Sequence, residues 1–242
     1  MLVTPVNSNV LVAVCTFNER ANVPELTQRV FAAVPDCNLL FVDDNSPDGT
    51  SQWIMQAMEA DSRIRLVIRK DERGLGGATR RALQYAVDHG YEFVMNLDGD
   101  LSHDPNVLPK MLALANEHPE IDVIVGSRYI ADGSIEGWPL RRRVMSRMVN
   151  RFATTVLRLP VSDCSGSMRC YRVEALAKLD PQTLKSESYA ILEETLVRLS
   201  KEGAQMMEVP IHFIDRARGS SKLTTREAIK SVVQLFRVAL RS

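Results

Sequence analysis

Four cysteines are spread through the 242 residues, at positions 15, 37, 164 and 170. No two form a CxxC pair or stand at zinc-ligand spacing, which argues against a metal knuckle or a stapled scaffold and predicts reduced thiols in a cytosolic protein. Neither sign of charge is in excess. Thirty basic residues balance thirty acidic ones, so no whole-molecule field points to nucleic acid or to an acidic partner, and any argument from charge must be local. No apolar run approaches the roughly 20 residues of a membrane-spanning helix. Residues 1–9 lack the basic n-region and apolar run of an export leader. The expectation is a soluble chain, or one that lies on a membrane without crossing it. No internal repeat, low-complexity tract or linker interrupts the sequence, which predicts a single domain over residues 1–242. Two site patterns are also missing. After Gly74 and Gly76 a GxGxxG dinucleotide motif needs glycine at position 79, where the chain has Thr79, and this excludes the usual dehydrogenase reading. No Ser-His-Asp set or acid-base carboxylate pair can be assigned.

What is present is a strand-helix alternation, in a chain whose hydrophobic fraction of 45% is enough for a substantial core. Apolar runs at 10–15, 39–42, 64–68, 93–97 and 121–125 read as buried strands, and the segments between them as helices, with Asn22 as a candidate cap. This order predicts right-handed crossovers and a largely parallel α/β sheet. Each run ends in a polar cluster: Thr16-Phe17-Asn18-Glu19, Asp43-Asp44-Asn45-Ser46, Arg73-Gly74-Leu75-Gly76, Asp98-Gly99-Asp100 and Gly126-Ser127-Arg128-Tyr129. In open α/β sheets that rim is the ligand crevice. Two aspartates separated by one glycine can turn hard oxygen atoms towards one divalent cation, and Mg²⁺ is commonly shared between one or two carboxylates and substrate phosphates. An Asp-Gly turn without a ligand is the competing reading of that motif alone.

Beyond Trp138 the character changes. Arg141, Arg142, Arg143, Arg147, Arg151 and Arg158 alternate with Leu140, Val144, Met145, Met148, Val149, Phe152, Val156 and Leu157 in the pattern of a basic amphipathic helix. A turn-like stretch at 163–169 precedes helices at 173–179 and 191–201 and a strand at 206–213. Three cations, Arg216, Arg218 and Lys222, surround Gly219 in a loop suited to clamping phosphate. The tail from 224 to 242 collects Arg226, Lys230, Arg237 and Arg241 on one helical face, which fits either packing on the domain or rest on anionic lipid.

Taken together the motifs resemble those of the dolichol-phosphate or polyprenol-phosphate mannosyltransferases. The resemblance is carried by Thr16-Phe17-Asn18-Glu19, by Val42-Asp43-Asp44-Asn45-Ser46-Pro47-Asp48-Gly49-Thr50, and by Gly74-Leu75-Gly76-Gly77-Ala78. It continues through Asp98-Gly99-Asp100-Leu101-Ser102-His103, Gly126-Ser127-Arg128-Tyr129, Gly137-Trp138-Pro139-Leu140-Arg141, Ser162-Asp163-Cys164-Ser165-Gly166 and Gly219-Ser220-Ser221-Lys222. It implies the GT-A (Rossmann-like) nucleotide-sugar transferase fold, α/β with a mostly parallel central sheet flanked by helices. It further implies a nucleotide-sugar and metal-binding half at 1–130 and an acceptor half with basic helices at 131–242. Carried over position by position, it sets Cys15, Phe17, Glu19, Val42 and Asp44 around the guanosine of GDP-mannose. Asp98, Gly99 and Asp100 would hold the diphosphate through Mg²⁺ or Mn²⁺, with Ser102 as a third metal position. Arg128 would reach the reacting phosphates, which with Asp100 makes it the candidate catalytic pair, and Arg216 and Lys222 would close over the leaving GDP. Arg128, Arg142 and Ser146 would hold the phosphate of a polyprenyl or dolichyl acceptor. The chain departs from the family pattern at Cys15, usually proline, at Gly99, usually alanine, and at Ile191-Leu192, usually Phe-Gln.

The implied reaction is inverting transfer of mannose from GDP-mannose to polyprenyl phosphate, at the cytoplasmic face of a membrane that the chain meets peripherally. Some family members use small membrane-spanning partners there. A phosphate monoester, with a second pKa of about 6, is already largely dianionic near neutrality and needs no strong base. That agrees with the missing acid-base pair. Two rivals share most of these motifs: a UDP-glucose-dependent polyprenyl-phosphate glucosyltransferase, and a catalytically silent sugar-nucleotide-binding scaffold.

Overall fold

The computed structural model describes residues 9–70 and 73–215. Its centre is a seven-stranded sheet in the order β3-β2-β1-β4-β7-β5-β8, made of β1 (Val10–Thr16), β2 (Asn38–Asp43), β3 (Ile64–Ile68), β4 (Phe93–Asp98), β5 (Ile121–Ser127), β7 (Arg169–Arg172) and β8 (Gln205–Pro210). Only β7 runs against its neighbours β4 and β5. The rest are parallel, as the strand-helix alternation predicts. A second, two-stranded parallel ribbon joins β6 (Ser134–Glu136) to β9 (His212–Ile214).

Alternation along β1 and β2 sorts the core into two layers. Leu11, Ala13, Leu40 and Val42 face α3 (Leu75–Asp88), α6 (Val173–Leu179) and α7 (Ile191–Lys201), meeting Ala82, Leu83, Leu176 and Leu196. Val12, Val14, Leu39 and Phe41 face the other way, onto Leu26 and Val30 of α1 (Val23–Ala33), Ile54 of α2 (Thr50–Ala60) and Met111 of α4 (Leu108–Glu117). α1 buries Val23, Leu26, Thr27 and Val30, an i, i+3, i+4, i+7 stripe. Each large apolar side chain so enclosed contributes about 1.5–3 kcal/mol.

Three local expectations change. Asn22 does not cap α1: its backbone is already in the helical region, and its Nδ2 donates to Glu19 Oε2 at 2.8 Å. The strand expected at 206–213 is two strands, because after Pro210 the chain leaves β5, Ile211 N donates to Ser127 O at 3.0 Å, and β9 pairs with β6 instead. The stretch expected to turn until Arg169 gives way there to β7, four residues long and too short to show a period.

α5 (Leu140–Val156) is the basic helix of the sequence, and only Asn150, Ala153 and Thr154 are buried along it. Its apolar residues therefore do not form a core stripe. Leu140 and Met148 are each 68% exposed, and Val144, Met145, Val149, Phe152 and Val156 are exposed beside them.

The glycines before α3 serve packing. Gly76 N donates to Glu187 O at 3.0 Å, and a Cβ on Gly76 would lie 2.1 Å from Ser186 O. The close backbone approach legible in Gly74-Leu75-Gly76-Gly77 is thus an approach of the 186–187 backbone. A Cβ on Gly77 would meet instead the flexible end of Arg69, at 2.2 Å from Nη2. Gly76→Ala is therefore expected to lower the unfolding free energy by about 1–3 kcal/mol, and Gly77→Ala by less, because a side chain can yield where backbone cannot, at the cost of straining the Arg69 bonds to Asp44 and Gly74 O. Urea denaturation of the two variants checks this order.

Candidate active site

The carboxyl ends of β1, β2 and β4 lie side by side, with Cys15 in register with both Val42 and Asp98. At the end of β2 the two adjacent aspartates have different tasks. Asp43, with no exposed surface, accepts from Thr16 Oγ1 (2.9 Å), Ser46 N (2.8 Å), Ser46 Oγ (2.6 Å) and Ser51 Oγ (2.5 Å), which fixes the turn into α2. Asp44 accepts from Arg69 Nη1 at 2.6 Å and from Gly74 N at 2.7 Å, tying the end of β3 to the start of α3. Burial raises the Asp44 carboxyl from its ordinary value, against the pull of these two partners. Cys15, half-buried at the rim, has its thiol pushed up to about 12 by burial, so it is neutral beside an anionic ligand. Phe17 lies under the Arg73 guanidinium at 5.0 Å, and Glu19 is buried, with Oε2 accepting from Asn22. Val42 is wholly enclosed in the core, so its side chain has no surface to offer a base.

β4 ends in the carboxylate turn. Asp98 is 36% exposed, whereas Asp100 is buried with Oδ1 accepting from Ser102 N at 3.1 Å and Ser102 Oγ at 2.5 Å. Leu101, between Asp100 and Ser102, adopts φ +64°, a left-handed conformation that reverses the chain within one residue. Gly99 leaves little room: a Cβ there would stand 3.3 Å from Thr16 Cγ2 and 3.4 Å from Cys15 O. His103, buried beneath the turn, accepts at Nδ1 from Asp98 N at 3.3 Å. Burial lowers its pKa against the opposing pull of Asp98 and Asp100, which keeps the ring neutral. Among the described residues no group of three or more His, Cys, Asp or Glu side chains could hold a metal ion unaided. Two carboxylates at a rim fit a small hard cation that takes its remaining ligands from phosphate oxygens and water. The donor set thus suits a cation arriving with a phosphorylated ligand. The hydroxyl of Ser102 points its proton at Asp100, so it orients that carboxylate whatever else it binds.

Arg128 follows β5 and is held before any ligand arrives. Its Nε donates to Asp163 Oδ2 at 2.7 Å, and its Nη2 donates to Asp163 Oδ1 and Ser165 Oγ, both at 2.8 Å. Asp163 has no exposed surface. Burial opposes its charge, but the Arg128 guanidinium, its hydrogen bonds and the Arg169 charge prevail and hold the carboxyl below the usual range. Burial disfavours the Arg128 charge, but Asp163, then Tyr129 and Asp98, outweigh it and raise the guanidinium above its ordinary value. Asp98 is therefore within electrostatic reach of this guanidinium.

On the opposite side the acceptor candidates gather. Ser146 Oγ is 2.7 Å from the Tyr129 hydroxyl, next to Arg128. Arg142 lies 3.8 Å above the Trp138 ring and its Nη1 donates to Asp215 Oδ2 at 3.3 Å. A groove of about 610 Å³ opens here, lined by Ile135, Glu136, Gly137, Trp138, Pro139, Arg143 and His212. Arg216, Lys222 and the basic tail lie outside the described residues. Of the rest, the structure brings Cys15, Phe17, Glu19, Asp44, Asp98, Gly99, Asp100 and Ser102 to one rim, with Arg128, Arg142 and Ser146 beyond them.

Sequence reasoning missed Asp163 and Arg69 as positioning residues. Asp163 sits in a quoted motif without a role, and Arg69 carries no signal beyond its place at the end of a strand. It also missed Glu193, whose buried carboxyl is raised to about 7 by burial.

A mostly parallel α/β sheet whose rim carries paired carboxylates and a pre-oriented arginine, with a basic helix beside it, has the parts that a nucleotide-sugar transferase needs. The model of Glycosyl transferase family 2 matches residues 11–180, and the chain belongs to that family. It is 34% identical over 228 residues to the polyprenol monophosphomannose synthase of Mycolicibacterium smegmatis, covering 93% of this chain and 85% of the relative. It is 31% identical over 231 residues to the undecaprenyl-phosphate mannosyltransferase of Micrococcus luteus, covering 96% and 94%. Among solved structures, a mannosyltransferase of Pyrobaculum calidifontis in complex with GDP-Man and Mn²⁺ aligns with TM-score 0.65 at 19% identity, over 99% of this chain and 67% of that one. A glucosyl-3-phosphoglycerate synthase of Mycobacterium tuberculosis aligns with TM-score 0.67 at 18% identity, over 96% and 78%. At these identities the two structures speak to the fold, which is the GT-A fold that the resemblance implied.

Asp163→Asn is expected to cost about 3–5 kcal/mol, because it leaves a buried guanidinium without its counter-charge. In the unmutated chain the folded carboxyl is depressed, so its stabilisation is present above the unfolded value near pH 4 and lost as pH falls through the folded one. Denaturation at pH 7 and pH 3 should show the difference between the two proteins shrinking at the lower pH.

Proposed function

We propose that the chain transfers mannose from GDP-mannose to a polyprenyl monophosphate, forming polyprenyl-phosphate mannose and GDP with inversion at the anomeric carbon. The observation that carries the reading is the chain of neighbours across the rim: the Asp98 carboxylate, with Asp100 in the same turn, acts on the fixed Arg128, whose neighbour Tyr129 touches Ser146 on the basic helix. Relatives bearing polyprenyl-phosphate mannosyl names over more than nine tenths of the chain support the same substrates. The acceptor phosphate attacks the sugar as its own nucleophile, which is why the site needs no Ser-His-Asp set. Asp98 and Asp100 would hold a divalent cation, Mg²⁺ or Mn²⁺, which would supply neutralisation of the departing diphosphate. The chain's own work is positioning and fixed charge. Asp44 and the neutral Cys15 shape the base and ribose end, Arg128 offers an arginine edge that needs no reorganisation, and Arg142 with Ser146 orient the acceptor phosphate.

The acceptor is a lipid, and α5 presents exposed apolar residues among Arg141, Arg143, Arg147 and Arg151. Among the described residues no helix is long and apolar enough to cross a membrane. An interfacial helix of this composition gains from buried apolar area and from attraction to anionic headgroups, which supports peripheral attachment at a cytoplasmic membrane face.

Asp100→Ala should reduce metal-dependent transfer by roughly 10²-fold or more, as loss of a fixed transition-state group does. A lipid-extraction assay that offers radiolabelled GDP-mannose and UDP-glucose in parallel checks it. Near-normal turnover in the variant would reject the site, and a preference for UDP-glucose would reassign the donor. The unmutated chain should co-sediment with anionic liposomes at low salt and detach as salt screens the attraction, and the pair Met148→Ser with Phe152→Ser should weaken binding. Sedimentation only when a membrane-spanning partner is co-expressed would give that face to the partner.

A further inference from the structure

The carboxylate turn and the acceptor side belong to different parts of the chain, yet one strand touches both. Ile214 of β9 donates its backbone N–H to Ser102 O at 3.1 Å, inside the turn that carries Asp100. One residue earlier, the Phe213 ring stands edge-on to His103, at 5.4 Å between centroids and 78° between planes. The same ring stands edge-on to Trp138 at 5.5 Å and 69°, and the Arg128 guanidinium lies 5.5 Å from its centroid. Trp138 in turn carries Arg142, which Asp215, two residues beyond Phe213, holds by its carboxylate. β9 is fixed on its other edge to β6, where Asp215 N donates to Glu136 O at 3.0 Å and Ser134 N to Ile211 O at 3.0 Å. One partly buried phenyl ring therefore meets the imidazole under the metal-facing carboxylates, the arginine between the two substrates, and the indole that supports the acceptor arginine.

We propose that Phe213 is a positioning residue that couples occupation of the carboxylate turn to the placement of Trp138 and Arg142, so that donor binding prepares the acceptor side. Close-packed contacts pass displacement on instead of absorbing it. A shift of Asp98–His103 on binding a cation and diphosphate moves the Ser102 carbonyl and the His103 ring, both of which bear on β9. By linkage, acceptor phosphate then strengthens donor binding by the same factor. The ring-edge contacts need an aromatic at 213, which a merely apolar filler does not supply. The inference rests on the donor and acceptor assignment made above.

Trp138 is itself the reporter, since the chain has only two tryptophans. In a Trp53→Phe background its emission is followed while Mg²⁺ and GDP are added, with calorimetry measuring the binding separately and circular dichroism confirming the fold. The expected result is an emission change that saturates with Mg²⁺–GDP. It is lost in Phe213→Leu, although that variant still binds Mg²⁺–GDP. In turnover the Leu variant should raise KM for the lipid phosphate about fivefold or more, the lower end of ordinary coupling, while its calorimetric affinity for Mg²⁺–GDP in the absence of acceptor changes little. Calorimetric binding by the unmutated protein without a Trp138 response overturns the inference and leaves the donor assignment standing. A full response in Phe213→Leu overturns it too, as does a folded Leu variant that no longer binds Mg²⁺–GDP, because Phe213 would then belong to the donor site itself. Failure of the unmutated chain to bind Mg²⁺–GDP removes the donor assignment, and this inference with it.

Discussion

A charged group buried beside a ligand crevice has to be fixed by something, and here the pairing of Arg128 with Asp163 does so. Asp163 accepts from the Arg128 backbone N–H as well as from its side chain, and also from the N–H groups of Ser165 and Gly166. Its own loop is anchored by Glu208 of β8, which accepts from Ser162 N and Asp163 N. The end of β5, the loop before β7 and the strand β8 are thereby locked to one guanidinium. Such a pair adds little net stability, because desolvating both charges offsets their attraction. Its effect is geometric. Positive charge stands ready at one place, without waiting for solvent or side chains to rearrange.

Much of this arrangement was legible in the residues. The five apolar runs became β1 to β5 because each is short, rich in β-formers and bounded by turn residues, which suits a mostly buried parallel strand, and the polar residues after each run marked the rim. Asp98-Gly99-Asp100 read correctly as a turn after a strand. β7 was not legible, since Arg169-Cys170-Tyr171-Arg172 places two arginines in a four-residue stretch and its burial depends on partners far along the chain. Arg169 has no exposed surface and spends its guanidinium on the carbonyls of Cys164 and Leu192, which no local pattern announces.

The division of labour within motifs was hidden for a related reason. Asp43 and Asp44 are chemically identical in the sequence, but strand alternation turns one into the α2 junction and the other towards Arg69 and Gly74. The glycines before α3 announced a close approach without saying what approaches. Val42 was placed at the guanosine end by the family resemblance, and the same alternation directs its side chain into the core. In each case the missing information is which face a side chain occupies, and that is set by the sheet.

The ribbon of β6 and β9 has a consequence for how the molecule comes into being. Its strands are brought together across a long stretch of chain, with Ser134 bonded to His212, 78 positions later. The βα units that make the donor rim close through short connections, whereas this ribbon must wait until a distant segment has been made and threaded into place, an entropically slow step. During synthesis from the amino end, the carboxylate rim of β1, β2 and β4 would thus be made before the ribbon that later rests against it.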